Sequence, residues 1–380
     1  ANAGYVRPYA ANSNALQELW LNVGNREGNA MNETSYVEIK FLKDFTFTFN
    51  AGVGVDETRS TSIQNMYYGQ FATNGGLITK SHGRSFYVNL QQLLNWSRKF
   101  GDGHNVSALL GHETYVAKTY SLSASKSQMF SMENDELNGA VVDGKSSGSS
   151  RGEYNNEGFF ARAQYDYMNR IFASASYRRD ASSRFHPDHR WGNFWSLGGG
   201  WIVNDEVWFP RTPWIDMLKL KASIGSQGND NIADYLYTDM YSITNSDGEI
   251  GVKRGSIGNP DITWETNTNF NAGFDFAVLD NAITLSADYY YRKGTDLIGL
   301  RMLPLETGYS STTINWASME NEGFEIALTT RNIHTKNFTW FTNLNIGYNE
   351  NKILQETVAE NATYPGREGY PVGAIFAYKT

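Results

Sequence analysis

At 380 residues, with 40% hydrophobic and 14% aromatic residues, 36 Gly and only 8 Pro, the composition suits aromatic-bearing strands joined by small-residue turns better than a helical bundle. A formal net charge of −8 without a basic run argues against a nucleic-acid partner, and zero cysteines remove disulfide frameworks, thiolate nucleophiles and Cys-based zinc sites. No window approaches about eighteen consecutive apolar residues, which excludes a transmembrane helix but leaves a β-barrel open, since its strands need only every second residue to be apolar.

The first residues, Ala1-Asn2-Ala3-Gly4, carry neither a basic n-region nor an apolar h-region, so no signal peptide is expected in this stretch. Period-two alternation then recurs in roughly twelve segments. They lie near 36–43, 45–55, 85–98, 105–118, 156–167, 171–179, 192–202, 218–225, 266–278, 282–297, 321–330 and 338–348. Most cover the ~9–11 residues that a tilted strand needs to cross the hydrocarbon layer. Phe159, Ala161, Ala163, Tyr165 and Tyr167 pair as a hairpin with Ile171, Ala173, Ala175 and Tyr177 across Met168-Asn169-Arg170. A second hairpin joins Phe270, Ala272, Phe274 and Phe276 to Ile283, Leu285, Ala287, Tyr289 and Tyr291 across Leu279-Asp280-Asn281.

The connections alternate in length. Those at Lys43-Asp44, 99–104, 168–170, 279–281 and 331–337 are short and 203–217 is moderate, whereas 56–84, 119–155, 180–191, 226–265 and 298–320 are mostly much longer. A soluble sandwich has no reason for this pattern; a membrane barrel does, because its periplasmic turns are short and its extracellular loops long. The expected fold is therefore all-β, an antiparallel transmembrane β-barrel represented by about 12 of its strands. One face of these strands is Phe, Tyr, Leu, Ile and Ala, suited to lipid, with Tyr165, Tyr167, Tyr289, Tyr291 and Tyr348 placed for an interfacial belt. The other face supplies the lumen-facing candidates Arg162, Gln164, Asp166, Ser174, Ser176, Arg178, Asn271, Asp275, Asp288, Arg292, Asn343 and Asn345.

Motifs for other chemistry lack their context. Gly139-Ala140-Val141-Val142-Asp143-Gly144-Lys145-Ser146 fits the phosphate-loop pattern, but a buried strand should precede it and a helix follow it, and neither context is present. His186-Pro187-Asp188-His189 holds good metal-ligand types, yet Pro187 prevents a helical face and no third ligand clusters nearby. Gly101-Asp102-Gly103-His104 reads as a turn, and His82, His104, His112 and His334 stand without a nucleophile motif. Trp191, Trp195, Trp201, Trp208 and Trp214 could stack on sugars, but an interface belt plus packing around the turn near 203–217 accounts for them better. No catalytic residue, metal or cofactor is assigned, and no enzyme activity is expected.

Several motifs in order carry a family resemblance. They are Ala173-Ser174-Ala175-Ser176-Tyr177-Arg178-Arg179-Asp180-Ala181-Ser182-Ser183-Arg184-Phe185 with Arg190-Trp191-Gly192, and Leu218-Lys219-Leu220-Lys221-Ala222-Ser223-Ile224-Gly225 with Gly228-Asn229. Gly258-Asn259-Pro260-Asp261-Ile262-Thr263-Trp264-Glu265, Asp288-Tyr289-Tyr290, Leu303-Pro304 with Thr307-Gly308, and Asn321-Glu322-Gly323-Phe324-Glu325 follow. From roughly residue 36 onward the chain resembles SusC/RagA-type TonB-dependent transporters of Bacteroidetes. That resemblance implies a plugged outer-membrane barrel of about 22 strands. It also implies a SusD-like lipoprotein lid, energy from TonB–ExbB–ExbD, and uptake of oligosaccharides or, in some branches, peptides. Neither the plug domain nor the TonB box is expected within residues 1–380, which read as a partial barrel domain whose last residues, Gly373-Ala374-Ile375-Phe376-Ala377-Tyr378, look like the start of further chain. Alternatives are a siderophore or vitamin receptor, a porin and, from another class, a soluble carbohydrate-binding β-sandwich.

Overall fold

The computed structural model describes residues 14–144, 147–210, 212–356 and 366–377. Alternating side chains with few Pro leave the backbone extended and its amides free to pair laterally, and the chain uses them almost entirely in strands. A short helix, α1 (Ala15–Leu21), is capped by Asn14, whose side chain accepts from the Leu16 and Gln17 amides. Then come β1 (Val23–Phe41), β2 (Phe45–Gln64), β3 (Leu77–Phe100), β4 (His104–Met129), β5 (Ala140–Asp143), β6 (Gly148–Tyr167), β7 (Ile171–Ser182) and β8 (Trp191–Ile202). β9 (Ile215–Asn229), β10 (Tyr241–Ser246), β11 (Glu249–Arg254), β12 (Glu265–Val278), β13 (Ile283–Met302), β14 (Ser311–His334) and β15 (Thr339–Gln355) complete the order. The sheet runs β1-β2-β3-β4-β6-β7-β8-β9-β12-β13-β14-β15, with β5 attached to β4 alone and β10-β11 forming a separate ribbon among the described residues.

Each of the twelve alternating segments falls, to within two residues, on one strand of the main sheet, but most of the strands are longer than alternation indicated. β1 starts at Val23 instead of near 36, β2 runs to Gln64, β4 to Met129, β6 begins at Gly148, and β13 and β14 reach Met302 and Ser311. The long connections shrink accordingly, and the one after β9 contains the β10–β11 ribbon. The reason is local. Stretches such as Glu57-Thr58-Arg59-Ser60-Thr61-Ser62 and Ser125-Lys126-Ser127-Gln128 are polar on both sides, so the ladder continues where the apolar signal stops.

The short turns expected near 43–44, 99–104, 168–170 and 279–281 are present, while the one expected at 331–337 narrows to 335–338 because β14 runs on to His334. Leu42, Lys43, Met168, Asn169, Leu279, Asp280 and Asn281 all adopt φ between 49° and 62°, the left-handed backbone that tight connections between twisted strands favour. The phosphate-loop candidate is not built: Gly139 closes a helical turn, Ala140–Asp143 is strand β5, and Gly148 opens β6, while Lys145 and Ser146 lie outside the described residues.

The chain divides into two compact units. Unit 1 is Ala1–Tyr36, Asn50–Leu90 and Tyr115–Asn155; its apolar cluster is Ile63, Ile78, Met129 and Ala140, with Met66, Met132 and Leu137 packed around it. Unit 2 is Val37–Phe49, Gln91–Thr114 and Asn156–Thr380. Its cluster joins Phe185, Phe194, Ile262 and Trp264, drawn from the β7–β8 connection, β8 and the approach to β12. Trp264 Nε1 donates to the Arg190 carbonyl at 2.8 Å, and Asn315 Nδ2 donates to the Thr263 carbonyl at 2.8 Å, so the loops of this unit are fastened by polar bonds as well as by packing.

Beyond β15, Glu356 accepts from both the Arg367 amide and its guanidinium, the Nη2 bond being 2.9 Å. Burial pushes the Glu356 carboxyl upward, but the Arg367 hydrogen bonds and charge outweigh it and hold the group below its ordinary value.

Candidate functional site: one polar face of the sheet

Register decides which side chains share a face, because a strand alternates sides strictly. In unit 2 the pairs run without a shift through Arg162↔Ser176 and Gln164↔Ser174, then Ser174↔Gly198, Gly198↔Ser223 and Ser223↔Asn271. They continue through Asn271↔Tyr290, Asp288↔Glu325, Ala327↔Asn345 and Thr329↔Asn343. With Asp166↔Phe172, Phe160↔Arg178, Asp275↔Ser286 and Asn269↔Arg292, all twelve polar candidates fall on one side.

The opposite side carries Tyr177, Leu197, Ile224, Phe270, Tyr289, Phe324 and Ile346, and it is the bare one. Tyr177 is 49% exposed and Leu197 51%, while on β7 the intervening Ser174, Ser176 and Arg178 are half-buried and Asp180 is buried. A water-soluble sandwich would bury the first set and expose the second, so this arrangement rules out the sandwich. Tyr165, Tyr167, Tyr289, Tyr291, Tyr348, Trp191, Trp195 and Trp201 of the proposed belt lie on the same bare side, with Trp195 exposed and Trp201 donating Nε1 to Glu206 at 3.1 Å, whereas Trp208 and Trp214 belong to the β8–β9 connection.

The polar side is wired by charge. Lys221 Nζ, from β9, lies 3.0 Å from Asp275 of β12 and 2.9 Å from Asp288 of β13, and Ser286 Oγ donates to Asp275 at 2.7 Å. Arg178 Nε bonds Asp180 at 2.7 Å and its Nη2 bonds Glu113 of β4 at 3.0 Å. Asn105 Nδ2 donates to Asp166 at 2.6 Å, and the Ser176 and Ser196 hydroxyls pair at 2.6 Å. A recess of about 740 Å³ opens on this side, lined by Asn105, Gln164, Asp166, Ser174, Lys219, Lys221, Asn271, Asp288, Arg292 and Glu325 among others. It gathers six of the twelve sequence candidates around residues that alternation alone did not single out, Lys221 above all. Lys221 was legible: it stands one step from Ala222 on the polar phase of Leu218-Lys219-Leu220-Lys221. Arg162, Ser176, Arg178, Asp275, Asn343 and Asn345 lie outside the recess lining, Asp275 bonded to its Lys221 and the last two on the exposed strand β15.

Aromatic rings on this side lie where glycine leaves room. A Cβ added to Gly111 would fall 2.2 Å from the Phe160 ring, one at Gly228 2.0 Å from Phe194, and one at Gly323 2.7 Å from the Tyr290 hydroxyl. Guanidinium groups stack on two of these rings, Arg178 over Phe160 at 5.0 Å and Arg292 over Tyr290 at 4.8 Å. The histidines are dispersed. His186 faces Asp188 at 3.4 Å, His189 faces Asp261 at 3.6 Å, and His112 bridges Gln92 and Glu157.

Comparison with known proteins places this geometry. The family described as TonB dependent receptor-like, beta-barrel matches residues 2–375. The chain belongs to that family. TonB-dependent receptor P39 of Formosa agariphila is 28% identical over 397 residues, covering 100% of the chain and 37% of that receptor. TonB-dependent receptor SusC of Bacteroides thetaiotaomicron is 34% identical over 215 residues, 54% of the chain and 21% of SusC. Among solved structures, the RagAB peptide transporter superposes with a TM-score of 0.85 at 24% identity, over 93% of the chain and 40% of its counterpart. The pyoverdine outer membrane receptor FpvA of Pseudomonas aeruginosa superposes less closely, with a TM-score of 0.53 at 13% identity. At such identities the likeness is one of fold. The chain thus spans well under half the length of the relatives it matches. As a member of the TonB-dependent receptor barrel family, it is a stretch of outer-membrane β-barrel wall.

Proposed function

We propose that this chain forms part of the wall of an energised outer-membrane importer for oligosaccharides or peptides. It works with a SusD-like surface lipoprotein and draws energy from TonB–ExbB–ExbD. In this reading the bare apolar side meets lipid and the polar side, with Arg162, Gln164, Asp166, Ser174, Ser176, Arg178, Asn271, Asp275, Asp288, Arg292, Asn343 and Asn345, lines the lumen. Residues 1–380 contribute barrel wall, and the plug and TonB box are assigned to other parts of the full-length protein. The observation that carries the proposal is the inversion of polarity, exposed Tyr177 and Leu197 against an ion-paired face around Lys221. The relationship to SusC and the close superposition on RagAB, a peptide transporter, support an importer of polymeric nutrients over a siderophore receptor.

The test is growth of a strain lacking the full-length gene on single glycans and on peptides as sole carbon source, beside a strain lacking TonB. Loss of growth on one polymer in both strains is the expected result. Growth unaffected by loss of TonB would point to a passive porin, and a defect confined to iron limitation to a siderophore receptor; either overturns the proposal.

A further inference from the structure

Unit 1 carries a feature that the charged face of unit 2 lacks. On one side of it, β3, β4 and β6 bring Tyr87, Tyr115 and Tyr154 into a row. Tyr87 and Tyr115 stack with centroids 6.0 Å apart and planes at 27°, and Tyr115 and Tyr154 lie 6.0 Å apart at 57°. Tyr87 is fixed twice over. Its ring lies over Gly54, where a Cβ would fall 2.1 Å from ring carbon, and its hydroxyl donates to Asn32 Oδ1 of β1 at 3.1 Å. All three rings are half-buried, so each keeps part of its surface open.

Farther along the same strands stands a field of hydroxyls. Arg26, Thr58, Ser60, Ser81, Ser121 and Ser150 line a recess of about 690 Å³, and the Ser121 and Ser150 hydroxyls pair at 2.7 Å across β4 and β6. Four residues separate Ser150 from Tyr154 and six separate Ser121 from Tyr115, which is about 13 Å and 20 Å at the rise of a strand. Of these six residues only Arg26 is charged.

From this juxtaposition we infer that the tyrosine row and the hydroxyl recess of unit 1 form a binding surface for a neutral oligosaccharide, a deepening that rests on the importer reading above. A pyranose offers a flat C–H face, which packs on an aromatic ring, and a rim of hydroxyls that both donate and accept. Tyrosine supplies the flat apolar surface with a polar tip, and serine and threonine hydroxyls rotate to meet either role. A peptide or an acidic glycan carries charges that would need free partners, whereas the charged groups beside the recess are largely committed to one another, His82 to Glu57 at 2.6 Å and Lys80 to Glu136 at 2.6 Å. The separation of about 13–20 Å between rings and hydroxyls suits an extended chain touching both.

Cross-strand aromatic packing also stabilises a sheet, by roughly 0.2–1 kcal/mol for a pair, so the test separates binding from folding. The full-length protein in detergent is titrated calorimetrically with malto- and fructo-oligosaccharides, oligogalacturonate and a tryptic peptide pool. At least one neutral oligosaccharide binds, and Tyr115→Ala weakens it roughly tenfold, the scale of one stacking contact, while Tyr115→Phe stays within about threefold. Tyr154→Leu serves as the second variant should Tyr115→Ala fail to fold, with heat-modifiable gel mobility reporting folding for each. The inference is overturned if no neutral oligosaccharide binds, if the folded alanine and leucine variants bind like the parent, or if only the acidic glycan or peptides bind. TonB-dependent import that persists unchanged in the tyrosine variants sinks this inference alone; absence of TonB-dependent import in the parent sinks the importer reading.

Discussion

Lys221 is a single cation between two carboxylates on separate strands, and its side chain is about one-third exposed. Removing it leaves Asp275 and Asp288 close together and half-buried, a cost between that of a solvated pair and a fully buried one. Lys221→Met is therefore expected to destabilise the folded barrel by about 1–3 kcal/mol, and Lys221→Arg by much less, measured as the urea midpoint of the full-length protein in detergent. Gly111 makes a second residue-scale case. An alanine there meets the Phe160 ring, on which Arg178 stacks in turn, so Gly111→Ala should cost about 1–3 kcal/mol through overpacking. Adding Phe160→Ala should recover part of that loss, so a double-mutant cycle with no coupling would refute the ring-on-glycine account.

Among the elements, the hairpins at 168–170 and 279–281 and the polar phase of β6, β7, β12 and β13 could be read from alternation, because lipid and water impose opposite demands on successive residues. The outer halves of β2, β4 and β14 could not. Once both sides of a strand are wet, Thr-Arg-Ser-Thr-Ser (58–62) is indistinguishable from a loop, and only the neighbouring strand's amides reveal the ladder. The tyrosine row was likewise hidden, since Tyr87, Tyr115 and Tyr154 sit on three strands whose mutual register no single-strand pattern gives. The segment after β15 offers a pH test at this scale. Because Glu356 is held below its ordinary value, its contribution is fully present above the usual carboxylate range and is lost as pH falls through the lowered folded value. Amide exchange over 366–372 should therefore remain protected at neutral pH and rise, after correction for intrinsic rates, below about pH 4. Equal protection at both pH values would show that Arg367 does not fasten this segment through Glu356.

For the molecule as a whole, the two faces make opposite predictions for the same substitution. Leu197→Arg places a guanidinium on the bare side and should cost about 2–4 kcal/mol if it lies near the bilayer midplane, whereas Ser176→Arg on the polar side should be nearly silent. Folded yield in the outer membrane reads both at once, and a reversed order would invert the face assignment. β1 pairs only with β2 and β15 only with β14 among the described residues, so residues 1–380 expressed alone leave two rows of backbone groups without partners. That product should be cut quickly by protease in detergent, whereas the full-length protein should resist.

The rings resting on glycine carry a last implication, for diversification. Phe160, Phe194 and Tyr87 occupy volume that a neighbouring strand has vacated, so bulk can be moved from one strand to the next without altering strand number or tilt. Exchanging the partners of such a couple, small for large, would relocate a protrusion sideways by one strand spacing, about 4.8 Å. Bore contour could thus drift among relatives by paired substitutions while the hydrogen-bonded scaffold stays untouched.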